Sequence, residues 1–308
     1  MDMIRLQIKI LCFLAIGWIM GRKKWISQST AKQMNFLVAN LILPCSIFIS
    51  FLIEPTDEII QSTLTIFVLS FGIQVLMLFV SPLLWKHIRD PKHRINLEYA
   101  TVSNNAGTLG TIISQAAFGQ IGVLYASIYA IWLRIVMWAY GITIYQSNKQ
   151  MDLKALVKKV VFHPCMIAIE VGVLCMVAQY FGFQFPTLLE ETLSDLGKCN
   201  TVFIMLIIGV ILSQIDIRDV FQKDVLLYCL FRLVLIPIAI GCLLALIGIS
   251  GLPLGICVLE SAMPAPVTMA ILSQKYDVDE RFASELIFLS TVLSMITLPL
   301  WTIVLTSL

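Results

Sequence analysis

Ten stretches of this chain are each long and apolar enough to cross a lipid bilayer, and little lies between them. They run over residues 4–20, 34–53, 60–85, 99–118, 121–145, 162–181, 193–212, 225–247, 252–272 and 282–304. A spanning helix needs about 20 mostly apolar residues, set by the thickness of the hydrocarbon core. Inside that core every backbone polar group must be satisfied by the chain itself, so only helices and closed barrels can span. The runs here are unalternated, whereas barrel strands alternate over about ten residues. The expected fold is therefore an all-α integral membrane protein with ten transmembrane helices. Composition agrees: 59% of the residues are hydrophobic and only 13% are charged, against about 25% charged in soluble domains. So few charges could not cover a water-facing surface, which excludes a soluble enzyme, a nucleic-acid binder and a disordered chain. The net charge of +2 is too small to suggest a polyanionic partner. The longest connection, 146–161, leaves no room for a separate soluble domain.

Basic residues set the expected orientation. The odd-numbered loops carry Arg22, Lys23, Lys24, Lys32, Lys86, Arg89, Lys92, Arg94, Lys149, Lys154, Lys158, Lys159, Arg218, Lys223, Lys275 and Arg281, while the even side carries Arg5, Lys9 and Lys198. Such an excess places the odd loops in the cytoplasm and both termini outside a cell membrane. The first segment has a basic start like that of a signal peptide. It lacks a small-residue cleavage site and is followed by four bases, so it reads as a helix. The eight cysteines include no C-x-x-C pair and lie almost entirely in apolar segments. They read as small buried hydrophobes, with no metal or disulfide framework. None of the three histidines lies deep in a segment, and His163-Pro164 marks a helix start.

Ten spans divide as five plus five. An odd number in each half gives the halves opposite orientations, the arithmetic of an inverted repeat. The expected division is 1–145, a linker over 146–161, and 162–308. Ser114-Gln115, Phe118-Gly119 and Tyr125-Ala126-Ser127 in the first half match Ser273-Gln274, Tyr276-Asp277 and Phe282-Ala283-Ser284 in the second, at an offset of about 158 residues. The fourth and ninth spans, which the repeat superimposes, should both be broken. The fourth contains Ser103-Asn104-Asn105-Ala106-Gly107-Thr108-Leu109-Gly110, rich in poor helix formers. The ninth contains Glu260-Ser261-Ala262-Met263-Pro264-Ala265-Pro266-Val267-Thr268, whose prolines lack N–H groups and disfavour helix at the preceding residues. Irregular backbone at membrane depth is tolerated only inside protein or along a cavity. Paired interruptions of this kind are the best sequence pointer to a transporter's binding site.

The run SNNAGTLGTIISQAAFGQIGVLYASI resembles the fourth-span signature of the auxin efflux carrier family, and ESAMPAPVTMAILSQKYDVD resembles its ninth-span signature. ANLILPCSIFISF, with Pro44, resembles its second span. The resemblance covers essentially the whole chain, in the short-loop bacterial form associated with malate or malonate permeases. It implies a five-plus-five inverted repeat with two crossed, broken helices, and allows a homodimer. The family's crossover asparagine falls on Asn105, its following glycines on Gly107 and Gly110, and its ninth-span proline on Pro264. The family often has proline where this chain has Ile112, and asparagine where it has Thr268, a smaller hydrogen-bonding group.

Charges inside the spans complete the candidate site. Arg134 lies near the middle of the fifth span, where a charge is rarely idle. Guanidinium holds a carboxylate by two parallel bonds, so Arg134 is the candidate for a substrate carboxylate; an internal ion pair or packing beside Trp132 and Trp138 is the alternative. Arg232 lies about two turns from the end of its span, where snorkelling to the interface is expected. Glu260 precedes the ninth-span interruption by one turn, and reads either as a proton carrier or partner of Arg134 or Arg232, or as an interfacial carboxylate. Glu170 is a weaker copy of that ambiguity, and Glu285 sits at a helix start, where the dipole favours it. The expected function is secondary transport of a small organic anion, a mono- or dicarboxylate, by alternating access. Asn104, Asn105, Gly107, Thr108, Gly110, Arg134, Pro264, Ala265, Pro266 and Thr268 would form the substrate site, and Glu260 and Arg232 would be charge or proton partners. No cofactor is expected beyond a coupling proton or sodium ion. A non-transporting sensor and a cation exchanger of related architecture stay open; an enzyme would need a nucleophile–base pair, and none is evident.

Overall fold

The computed structural model describes residues 2–146, 153–213 and 222–306, and among these every regular element is helical. The first half contains α1 (Asp2–Arg22), α2 (Gln28–Leu37), α3 (Leu43–Ser50), α4 (Asp57–Trp85), α5 (Pro91–Val102), α6 (Leu109–Phe118) and α7 (Gln120–Tyr145). Then come α8 (Leu153–Val161), α9 (Pro164–Tyr180), α10 (Thr187–Leu212), α11 (Lys223–Leu230), α12 (Ile236–Leu246), α13 (Gly251–Ser261), α14 (Thr268–Lys275) and α15 (Glu280–Thr306). A π-helical turn, Val38–Ile42, joins α2 to α3, and another, Phe231–Leu235, joins α11 to α12. Among the described residues six helices are long and apolar enough to cross a membrane: Ser29–Ser50, Asp57–Trp85, Gln120–Tyr145, Thr187–Ile211, Lys223–Leu246 and Glu280–Thr306. Shorter apolar helices cover Leu11–Arg22, Leu109–Phe118, Pro164–Tyr180 and Gly251–Ser261.

Local chemistry explains several boundaries. Asp90 caps α5 by accepting from the Lys92 N–H at 2.8 Å, with Pro91 in the first turn, where its missing N–H costs nothing. His163 caps α9 in the same way, ahead of Pro164. Pro237 cannot donate to the carbonyl four residues back, on Leu233; the indole N–H of Trp301 takes that carbonyl instead, at 2.9 Å.

Three expectations about boundaries change. The helix at the expected fourth span starts at Pro91 rather than at 99. Its first residues, Pro91 and Lys92, are exposed, but Asn96, Leu97 and Glu98 are buried: Arg94 Nε donates to Glu98 Oε1 at 2.6 Å and Ser273 Oγ donates to Asn96 at 2.8 Å. The seventh begins at Thr187 rather than at 193. The expected linker holds the amphipathic helix α8, its Lys154 and Lys158 exposed. Linker residues 147–152, with Lys149, and residues 214–221, with Arg218, lie outside the described residues.

The residues group into two compact units, each drawing on both halves of the chain. One comprises Met1–Gln61, Thr111–Ser127 and Val161–Ile215. Within it α1 packs on α10 with little between the backbones: a Cβ on Gly17 would overlap the backbone at Leu206, and one on Gly209 the backbone at Leu14. Small residues allow this approach where lipid offers no hydrophobic drive. The other unit comprises Ser62–Gly110, Ile128–Val160 and Asp216–Leu308. It contains both interrupted segments and all the contacts described next.

Candidate functional site at the crossing of two interrupted helices

The fourth-span segment leaves the helix at Ser103, whose φ of −109° and ψ of 143° are extended, and makes a 3-10 turn over Asn105–Gly107 before α6. The ninth-span segment leaves α13 at Ala262 and re-enters helix at Thr268. The two interruptions meet. The Asn105 N–H donates to the Pro264 carbonyl at 2.9 Å. The Asn104 amide spans the crossing: its Nδ2 donates to the Glu260 carbonyl at 2.7 Å, and its Oδ1 accepts from the Ala106 N–H at 3.0 Å.

Arg232 supplies the remaining donors. Its Nε donates to the Met263 carbonyl at 3.0 Å and its Nη1 to the Thr101 carbonyl at 2.8 Å. Tyr228 OH donates to the neighbouring Ala100 carbonyl at 3.1 Å. Helix C-termini leave carbonyls without intrahelical partners, and buried ones must be satisfied. One guanidinium thus satisfies carbonyls from both interruptions. Arg232 is 3% exposed, so the expected snorkelling does not occur. The orphan carbonyls inside the unit hold the guanidinium more strongly than the interface attracts it, and the π turn on which it sits re-aims the side chain inward.

Glu260 is 0% exposed, so it is not an interfacial carboxylate. Its carboxylate lies against Gly110 in the first turn of α6, where a Cβ would overlap it. That end of a helix favours negative charge.

Arg134 is 5% exposed and approaches from α7. Its Nη2 donates to the Gly107 carbonyl at 3.2 Å, and its Nη1 is buried with no hydrogen-bond partner among the described residues. A Cβ on Gly107 would stand 3.4 Å from Nη2, so the bare glycine leaves the guanidinium face clear. One turn on, Met137 Sδ accepts from Thr268 Oγ1 at 3.6 Å, and Thr268 also pairs with Tyr99 OH at 3.0 Å. Arg134 and Met137 therefore present one face of α7 to both interruptions. The Trp132 indole makes tilted ring contacts with Phe67 and Phe71.

The expected site residues divide accordingly. Asn104, Gly110, Pro264, Ala265 and Pro266 are buried in the crossing; the Ala265 N–H is taken by Ser290 Oγ at 3.1 Å. Asn105, Gly107, Thr108 and Thr268 are half-buried and form its accessible edge. The Asn105 amide makes no hydrogen bond among the described residues. Sequence reasoning missed Glu98, which was placed outside the span but is held by Arg94 and by Tyr140 OH at 3.3 Å. It also missed Tyr99, Met137, Tyr228 and Ser290. The Glu98 signal was legible as an Arg-x-x-x-Glu pair on one helix face; the others carry none. Glu285 is paired in the same i, i+4 manner with Arg281 at 3.1 Å, and accepts from Gln222 at 2.7 Å.

Known proteins match the chain along its length. The sequence profile of a family described as membrane transport proteins matches residues 3–302. A protein named an uncharacterized transporter from Methanothermobacter thermautotrophicus is 26% identical over 307 residues, covering 97% of each chain. The uncharacterized transporter MJ1031 of Methanocaldococcus jannaschii is 24% identical over 303 residues, covering 95% of each. The uncharacterized transporter YfdV of Escherichia coli is 22% identical over 309 residues, covering 95% of this chain and 94% of its own.

Proposed function

The chain belongs to the membrane transport protein family, and from that premise we propose that it is a secondary carrier of a small organic anion, a mono- or dicarboxylate such as malonate. The observation that carries the proposal is Arg134: a guanidinium inside the unit, facing the crossing, with one N–H group unused. A buried donor without an acceptor is costly, and a carboxylate would satisfy it with a charge-assisted bond. The Asn105 amide and the Thr108 and Thr268 hydroxyls, at the accessible edge, would complete the shell.

The architecture that goes with this reading is ten spans in two inverted repeats, 1–145 and 162–308, joined by the segment 146–161. Two local likenesses support it. The interruptions fall at matching places in the two halves. The residues that follow α6 and α14, Gly119 and Asp277, both take left-handed backbone, with φ of 70° and 55°, at the offset seen in the sequence. Transport would proceed by alternating access, the unit bearing the crossing shifting against the other. The odd loops would face the cytoplasm and both termini the outside of the cell membrane. A coupling proton or sodium ion and a homodimer are compatible with the reading.

The test is a thermal-shift screen of the purified protein against mono- and dicarboxylates. Ligand that binds only the folded state stabilises it by mass action, about 2.7 kcal/mol at a hundred times Kd. Wild type should be stabilised by at least one small carboxylate and Arg134→Gln should not. Equal stabilisation of both proteins would remove Arg134 from the site.

A further inference from the structure

The crossing carries its own charges, and their sum limits what it can accept. Three ionisable side chains are buried around it, counted here with Glu260 ionised: Arg232, on the carbonyls of both interruptions; Glu260, against the first turn of α6; and Arg134, on the Gly107 carbonyl. The other buried carboxylates of this unit, Glu98 and Glu285, are matched on their own helices by Arg94 and Arg281 and add nothing. Tyr129 on α7 and Cys257 on α13 lie within electrostatic range of Glu260, both neutral when protonated. α6 and the 3-10 turn present none to it, and α15 presents Ser290 to the crossing. Two cations and one anion leave one net positive charge. The side chain that expresses it is Arg134, because Arg232 has its carbonyls and Arg134 Nη1 has no partner.

We propose that the crossing selects a monoanion, and that a dicarboxylate binds only together with one proton. The inference rests on the carrier reading above and sharpens its substrate class. A monocarboxylate brings the buried charge to zero. A dianion would leave one negative charge uncompensated beside buried backbone, and a proton removes it. The proton is held either on the second carboxyl of the ligand or on Glu260; the charge count is the same. Replacing Glu260 by glutamine raises the resident charge by one, so that a dianion then fits without a proton.

The experiment measures binding of malonate and of propionate, which share a three-carbon skeleton and differ by one carboxylate, to the purified full chain by thermal shift. The range runs from about pH 6.5 to about pH 8.5, above the ordinary range of carboxyl ionisation. For wild type, the apparent malonate affinity should fall about tenfold per pH unit, since one proton enters with each ligand, while propionate affinity stays level. In Glu260→Gln the malonate slope should vanish and malonate should gain on propionate. Level malonate affinity in wild type, or equal slopes for the two compounds, would overturn the charge selection while leaving anion binding intact. These outcomes need only the wild-type protein, so they stand if Glu260→Gln fails to fold. A malonate slope that persists in folded Glu260→Gln would also overturn it. Stabilisation by neither compound at any pH would overturn the anion site itself, and this inference with it.

Discussion

Replacing Arg232 by alanine should be among the most damaging single changes in the molecule. The guanidinium makes two hydrogen bonds, to the carbonyls of Thr101 and Met263, at 2.8 and 3.0 Å. Bonds from a charged donor contribute about 1.5–3 kcal/mol each. Alanine leaves both carbonyls inside a unit where water has little access, one from each interruption. Part of the loss is offset, because the buried guanidinium no longer has to be desolvated. The net expectation is a loss of about 3–5 kcal/mol, two such bonds less that offset. Lysine keeps the charge but has one ammonium in place of a fork, so it should recover about half of the loss. The assay is unfolding in mixed micelles by titration with a denaturing detergent, followed by tryptophan fluorescence. A loss below about 1 kcal/mol for Arg232→Ala, the level of an ordinary substitution, would refute the assignment of Arg232 as the tie between the two interruptions.

Other substitutions separate support from contact. Asn104→Ala removes two hydrogen bonds within the crossing and should cost about 1–3 kcal/mol by the same assay. Asn105→Ala, whose amide bonds to nothing described, should change stability by no more than about 0.5 kcal/mol yet weaken carboxylate binding in the thermal-shift screen. Gly110→Ala places a methyl on the Glu260 carboxylate and should cost about 1–3 kcal/mol; combined with Glu260→Ala the two losses should be less than additive, as for residues in contact. Trp301→Phe frees the Leu233 carbonyl beneath Pro237 and should cost about 1 kcal/mol, with faster amide exchange in the π turn as a second readout.

Much of the fold was legible because the bilayer simplifies the code. Apolar runs announce the segments, and Asn104, Asn105, Gly107, Pro264 and Pro266 announce the interruptions through propensity alone. That the two interruptions cross is what the family resemblance implies, and the Asn105 N–H indeed reaches the Pro264 carbonyl. What the sequence hid was direction. Arg232 stands near a span end, where solvation of its charge at the interface is the default; the carbonyls that draw it inward belong to residues 131 and 31 positions away. Residues 91–98 look like loop because two of their polar side chains find distant partners only in three dimensions, Asn96 with Tyr145 and Ser273, and Glu98 with Tyr140. Asn104 and Asn105 are adjacent and chemically identical, and only backbone geometry shows that the first is consumed by structure while the second is available.

The central claim is that a guanidinium on α7 faces a crossing of interrupted helices and holds a carboxylate there for transport. Counterflow of labelled propionate and malonate in proteoliposomes tests it most directly. Wild type should exchange label, and Arg134→Gln, folded and inserted equally well, should do so at least about tenfold more slowly, the cost of a lost charge-assisted bond. Binding of either compound without any exchange by intact wild-type protein would contradict the claim.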